Sequence, residues 1–183
     1  MRITIVSGSN RKQATSTQLS VYLAKVLESN GVKATLIDLN AAPLPFYSPD
    51  VEHRDEHLNA YKKSLNEADG IVLVTPEYHG APSGVLKNAL DHVGFEQFDG
   101  KVVLSVSSAG GAVGVSSLQQ LQTIVRNVHG VNCPEWISIG GEQRAFTPEG
   151  EPADSKTKDR VQRTVLYFLQ MVRTFRKEEQ PQD

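Results

Sequence analysis

Apolar runs of strand length alternate with amphipathic helical stretches five times along the chain, and this alternation restricts the fold more than any other property of the sequence. The runs are Ile3–Ser7, Val32–Leu39, Ile71–Val74, Lys101–Ser107 and Cys133–Ile139. Between the first two, Leu19, Tyr22, Leu23, Val26 and Leu27 recur at spacings of three and four, as on one face of a helix that stops at Asn30-Gly31. Leu58, Tyr61 and Leu65 mark a second helix, Glu56 to Ala68, and Leu86, Leu90 and Val93 a third, Pro82 to Val93. Leu118, Leu121, Val125 and Val128 mark a fourth, ending near His129-Gly130. Val161, Val165, Phe168, Leu169 and Val172 mark the last, Asp154 to Arg176. No repeat or linker interrupts the series, so the 183 residues read as one domain, 1–183, with a polar, frayed tail from Lys177 to Asp183. The alternation predicts an α/β fold: one five-stranded parallel sheet in the doubly wound order 2-1-3-4-5, with helices on both faces.

In that order strands one, three and four lie side by side. The polar loops after them meet at one edge, where such sheets bind ligands. The first loop, Gly8 to Thr17, leads into a helix, whose free N–H groups and positive dipole end attract anions. Ser9, Thr15, Ser16 and Thr17 add hydroxyl donors and Arg11 adds a forked cation, a set that suits a phosphate monoester. The same residues also read as a capped helix with a solvated arginine. The loop matches neither the Walker A nor the GxGxxG pattern. The second loop, Thr75 to Gly84, carries Pro76, Glu77, Tyr78 and His79 among turn residues. His79 has two readings there, as a hydrogen-bond or proton donor to a ligand or as a cap of the loop. The third loop, Ser108 to Gly114, contains Ala109, Gly110 and Gly111, and glycine lets a backbone approach a flat ligand closely.

Elsewhere the expectations are structural. Asn40 to Glu52 holds three prolines and reads as an ordered loop with Phe46 and Tyr47 packed against the domain. Gly94 to Gly100 reads as a loop, and Trp136, Phe95 and Phe98 as core or interface. His53 and His57 would share a face if both were helical, but no third ligand follows, so no metal site is expected. Cys133 is the single cysteine, which excludes an intrachain disulfide and a CxxC motif and suits buried packing. A formal net charge of -2 does not favour nucleic acid or an anionic membrane surface. With neither a signal-peptide core nor a membrane-length apolar run, the expected location is cytoplasmic.

Three motifs together resemble the NADPH-dependent FMN reductases of the flavodoxin-like superfamily, which include azoreductases, chromate and quinone reductases and alkanesulfonate-system flavin reductases. They are Gly8-Ser9-Asn10-Arg11 with Ser16-Thr17, then Pro76-Glu77-Tyr78 with Leu86-Lys87-Asn88-Ala89-Leu90-Asp91, then Ala109-Gly110-Gly111. The resemblance covers nearly the whole chain and thins after about Ile139. It implies a flavodoxin-like fold and an FMN held by the three loops. Ser9, Arg11, Ser16 and Thr17 would take the phosphate. Pro76, Glu77, Tyr78 and His79 would line the ring, mostly through backbone atoms. Ala109, Gly110 and Gly111 would approach its pyrimidine side. His79 stands where the family commonly has Asn, and the glycine loop lacks the Arg that many relatives carry.

The function this resemblance implies is hydride transfer from NADPH or NADH, through FMN, to a small acceptor such as free flavin, a quinone, an azo compound or a metal oxyanion. It also implies a homodimer or homotetramer, with the Pro43–Pro49 loop and the third helix as contact surfaces. The competing function is a flavodoxin-like electron carrier with a protein redox partner. Such carriers are strongly acidic, unlike this chain.

Overall fold

The computed structural model describes residues 1–176, so the expected frayed tail lies outside the described residues. The elements are β1 (Arg2–Ser7), α1 (Thr15–Ser29), β2 (Lys33–Asp38), α2 (Glu56–Asn66), β3 (Gly70–Tyr78), β4 (Ala81–Pro82), α3 (Gly84–Asp91), α4 (Phe95–Phe98), β5 (Val102–Ala109), α5 (Val115–Asn127), β6 (Val131–Asn132), β7 (Ile137–Gly140), a 3₁₀ turn (Gly141–Arg144) and α6 (Ser155–Phe175).

The sheet runs β2-β1-β3-β5-β6, with β7 also paired to β5 and β4 to β3. The doubly wound arrangement is therefore present, but it is built from seven strands among the described residues rather than five. Two local causes account for the difference. The expected fifth strand is broken into β6 and β7 around Pro134, which has no N–H to donate to the ladder. Both pieces still pair in parallel with β5. The second cause is β3 itself, which continues four residues past the apolar run and folds back on β4 as an antiparallel hairpin. Pro76, Glu77 and Tyr78 are thus strand residues, not loop residues, and the third helix begins at Gly84.

Alternation along the strands assigns side chains to two cores. Ile3, Ile5, Val72, Val74, Leu104 and Val106 face α1 and α6. Val6, Ile71, Leu73 and Val103 face α2, α3 and α5. The helix stripes read from the sequence are the buried faces: Leu19, Tyr22, Leu23 and Leu27 of α1 and Val161, Val165, Phe168 and Leu169 of α6 are each at most 2% exposed. At about 1.5–3 kcal/mol for each fully buried large apolar side chain, these stripes are the main reason that both helices stay on the sheet.

Three further expectations differ from the structure. Phe95 to Phe98 forms a short helix instead of loop, stabilised by the Gln97 side chain accepting from the Gly94 N–H. Phe98 is buried, whereas Phe95 lies on the surface stacked on His129. Phe46 is 88% exposed rather than packed, whereas Tyr47, about half exposed, packs its ring against His92 in a T-shaped contact. His53 precedes α2, whose cap is Asp55, so it shares no helix face with His57 and instead packs edge-on against His92. Among the described residues no cluster of metal-ligating side chains forms, and no helix is long and apolar enough to cross a membrane.

Candidate functional site

The carboxyl ends of β1, β3 and β5 are neighbours, and the three chain segments that leave them enclose a cleft of about 280 Å³. Its floor is the amino end of α1. Ala14, the residue before that helix, is extended and offers no side-chain cap, so the first N–H groups of α1 lack a capping side chain where Ala14, Thr15 and Ser16 line the cleft. Ser16, in the first turn, is fully buried, yet its hydroxyl finds no hydrogen-bond partner among the described residues. A buried unpartnered hydroxyl is costly, about 1–3 kcal/mol, unless something else supplies the missing bond. Arg11 and Thr15 line the same wall.

Pro76, Glu77 and Tyr78 form the second wall. Each is held by one neighbouring strand: Pro76 sits opposite Ser108, and Glu77 and Tyr78 oppose Pro82 and Ala81. The hairpin turn is His79-Gly80, with φ of 53° and 73°. Two residues with positive φ suit a two-residue hairpin of the right twist, and His is among the few side chains that accept this region. His79 is exposed and does not line the cleft. Glu77 directs its carboxylate away along the sheet edge, where it accepts from the Ser117 N–H at 2.8 Å.

Ser108, Ala109 and Gly110 make the third wall. Ser108 and Ala109 close strand β5, and Gly114 is held at the far end of the loop by hydroxyls. Ser107 donates to the Gly114 carbonyl at 2.6 Å, and the Gly114 N–H donates to Ser138 at 2.8 Å. Gly111 lies outside the cleft lining; its carbonyl presses against Gly140, where a side chain would collide.

The walls are tied to one another. Ser83 caps α3 by accepting from the Leu86 N–H, and its hydroxyl donates to the Gly8 carbonyl, joining the first loop to the second. Thr75 accepts from the Ser83 N–H at 2.9 Å. A β-carbon on Gly8 would stand 2.6 Å from that of Leu86, so only glycine lets β1 turn beneath α3. Ser9 and Thr17 belong to this scaffold rather than to the cleft lining. Ser9 accepts from the Arg11 N–H, and Thr17 hydrogen-bonds Ser7.

Two features of the site had no signal in the sequence reading. Arg144, at the end of the 3₁₀ turn, also lines the cleft, although no motif marks it. Beside the cleft, sharing Tyr78 with it, lies an apolar hollow of about 470 Å³ walled by Leu39, Pro43, Leu44, Phe46 and Val85. Asn88 holds its rim, donating to the Pro45 carbonyl at 2.9 Å and accepting from the Tyr47 N–H at 2.9 Å. A hollow of about 520 Å³ lies instead beside the amino ends of β3 and β5, around Asp69, Glu96, Asp99 and Lys101, away from all three loops.

An α/β sheet of this order, with the amino end of a helix at the carboxyl edge of its central strands, is a flavodoxin-like fold. A sequence profile of the NADPH-dependent FMN reductases matches residues 1–143. The chain is 30% identical over 155 residues to an FMN-dependent NADPH-azoreductase of Staphylococcus aureus, covering 82% of each chain. It therefore belongs to the NADPH-dependent FMN reductase family. Among solved structures, it superposes on the flavoenzyme NAD(P)H:(acceptor) oxidoreductase of Paracoccus denitrificans with a TM-score of 0.83, at 24% identity, over 96% of this chain and 99% of the other. An archaeal flavodoxin superposes with a TM-score of 0.67, at 14% identity, over 94% and 99%.

Proposed function

We propose that the chain is an FMN-dependent oxidoreductase that uses NADPH to reduce a small aromatic acceptor. The observation that carries the reading is the Ser16 hydroxyl: buried, unpartnered, and set in the uncapped first turn of α1 beside Arg11. These residues match the donors that a phosphate monoester requires. Arg11, Thr15 and Ser16 hold the phosphate, while Ser9 and Thr17 fix the loop that presents them. Pro76, Glu77 and Tyr78 offer the edge of a paired strand to the flat ring. Ala109 and Gly110 approach it from β5, with Gly111 and His79 shaping the adjoining turns. When bound, FMN supplies the redox chemistry, accepting hydride from the nicotinamide and reducing the acceptor in turn.

The acceptor class follows from the hollow beside Tyr78. Its walls are mainly aliphatic and aromatic, which suits a planar azo compound or quinone better than a metal oxyanion. The exposed Phe46 and the face of α3 around it are proposed as the contact surface of a homodimer or homotetramer, which would cover that hollow from outside.

The test is the visible absorption spectrum of the purified protein, before and after NADPH is added without oxygen. Flavin bands that bleach with NADPH support the reading. Bands that bleach only with dithionite turn it toward an electron carrier. A protein that neither carries nor takes up FMN overturns it.

A further inference from the structure

The proposed function leaves one cation of the cleft unassigned. Arg144 enters from the far side of the sheet, on the 3₁₀ turn after β7, and lines the same cavity as Arg11, Thr15 and Ser16. One of its terminal nitrogens stands 3.9 Å from where a β-carbon on Gly110 would be. It is half-buried, and among the described residues neither its guanidinium nor that of Arg11 has an ion pair or a side-chain hydrogen bond. Two guanidinium groups without a carboxylate partner thus line one small cavity, which favours an anionic ligand there.

The backbone that carries Arg144 is fixed in advance. Arg160 donates to the Ser138 carbonyl at 2.7 Å and to the Gln143 side chain at 3.3 Å, holding the turn from below. Ala153 donates to the Ala145 carbonyl at 2.9 Å, closing the segment that follows. Gly140, immediately before the turn, is pressed against the carbonyls of Gly111 and Ala112. A turn fixed in this way adds no backbone ordering cost when Arg144 binds, which leaves only the rotamer freedom of its side chain to be lost.

We propose that Arg144 is the second arm of a two-arginine clamp for the phosphate group, closing on it from the β7 side while Arg11 holds it from the β1 side. The proposal rests on the FMN reading above. Charge supports it. A phosphate monoester carries close to two negative charges at neutral pH. The end of α1 offers about half a positive charge, and Arg11 offers one. Together these come to about 1.5, so a second cation is needed for full balance and Arg144 supplies it with a small excess. The buried Ser16 hydroxyl supplies a neutral donor to the same group.

The experiment compares FMN with riboflavin, which has the same ring and no phosphate. Each is titrated into flavin-free protein and followed by quenching of flavin fluorescence, for wild type, Arg144→Gln and Arg144→Lys. Thermal unfolding without ligand checks that the variants fold. Loss of one charged contact is expected to weaken FMN about 10- to 100-fold in Arg144→Gln, with riboflavin unchanged within about twofold, and Arg144→Lys is expected to recover part of the loss. Equal weakening of both flavins overturns the clamp, because it places Arg144 on the ring. Unchanged binding of both overturns it as well. A wild type that binds riboflavin as tightly as FMN overturns the phosphate site itself, whereas one that binds neither overturns the FMN reading on which the clamp depends.

Discussion

The Glu77 carboxylate accepts a hydrogen bond from the backbone N–H of Ser117, 2.8 Å away and 40 residues further along the chain. Ser117 lies in the first turn of α5, and Gly114, which precedes that helix, has no side chain to cap it. Glu77 therefore caps α5 from another strand, placing negative charge where the helix dipole is positive. Its role in the Pro-Glu-Tyr segment is to bind the second wall of the cleft to the third. Replacing it with Ala should cost about 1 kcal/mol, in the range for lost helix caps, while Gln, which keeps an acceptor oxygen, should cost less. Urea unfolding of Glu77→Ala and Glu77→Gln measures both. Equal losses for the two would mean that charge alone matters.

His79 is expected to act through its backbone. At φ 53° it sits in the left-handed region, which Asn accepts more readily and β-branched residues resist. His79→Asn should leave stability unchanged or slightly raised, and His79→Val should lower it by about 1–2 kcal/mol. Turnover of His79→Asn should stay within about twofold of wild type, because a general acid would be worth at least a hundredfold. A large fall in turnover, with loss of one limb of the pH profile, would restore the proton-donor role.

Gly8 is expected to tolerate no side chain. A β-carbon there would lie 2.6 Å from that of Leu86 and 2.8 Å from the Val74 carbonyl oxygen. Gly8→Ala should destabilise by about 1–3 kcal/mol through overpacking. It should also weaken FMN, since the Ser83 hydroxyl grips the Gly8 carbonyl and a shift there moves the phosphate loop. Unfolding and FMN titration of one variant test both consequences. An unchanged melting temperature would show that α3 yields without cost.

The parts of this fold that were legible in advance are those that repeat. Helix stripes such as Leu19, Leu23 and Leu27 extend over several turns, and an error at one position leaves the pattern intact. The convergence of three loops follows from strand order alone. What was missed is short or tertiary. Ala81 and Pro82 form a strand of two residues, too brief for any alternation, although the His79-Gly80 pair preceding them is a hairpin signal in retrospect. Pro134 is a single residue inside an otherwise strand-like run, and its missing N–H breaks the ladder between β6 and β7. Arg144 carries no local mark, because it reaches the cleft only when β7 lies on β5. Phe46 was expected to pack because aromatics usually do; the side chain instead faces out beside an open hollow.

That exposure gives a prediction about assembly. Phe46, 88% exposed, borders the hollow lined by Leu39, Pro43, Leu44 and Val85, and a contiguous apolar surface of this kind marks an interaction site. Phe46→Asp should shift the molar mass measured by light scattering at micromolar concentration toward the monomer, with the melting temperature of the isolated chain unaffected. A wild type that is already monomeric under these conditions would remove the proposed contact surface.

Cys133 should be silent in the folded protein and reactive in the unfolded one. The side chain is 1% exposed, and burial pushes its pKa up from 9.0 to about 11. At pH 8 a disulfide reagent such as DTNB should react slowly with the native chain and rapidly in guanidinium chloride, because the thiolate is the nucleophile. The same shift makes stability depend on pH. A raised folded pKa means that the native state holds the thiol proton more tightly than the unfolded chain does. The contribution is therefore fully present below the ordinary value of 9.0 and is lost as pH climbs toward about 11. The urea midpoint of wild type should fall more between pH 8 and pH 10.5 than that of Cys133→Ala, which has no thiol to ionise. The small cavity left by the substitution lowers that variant at every pH and does not alter the comparison of slopes. Identical slopes would show that Cys133 meets water in the native state, contrary to its buried place beside β5, where its N–H donates to the Val103 carbonyl at 2.9 Å.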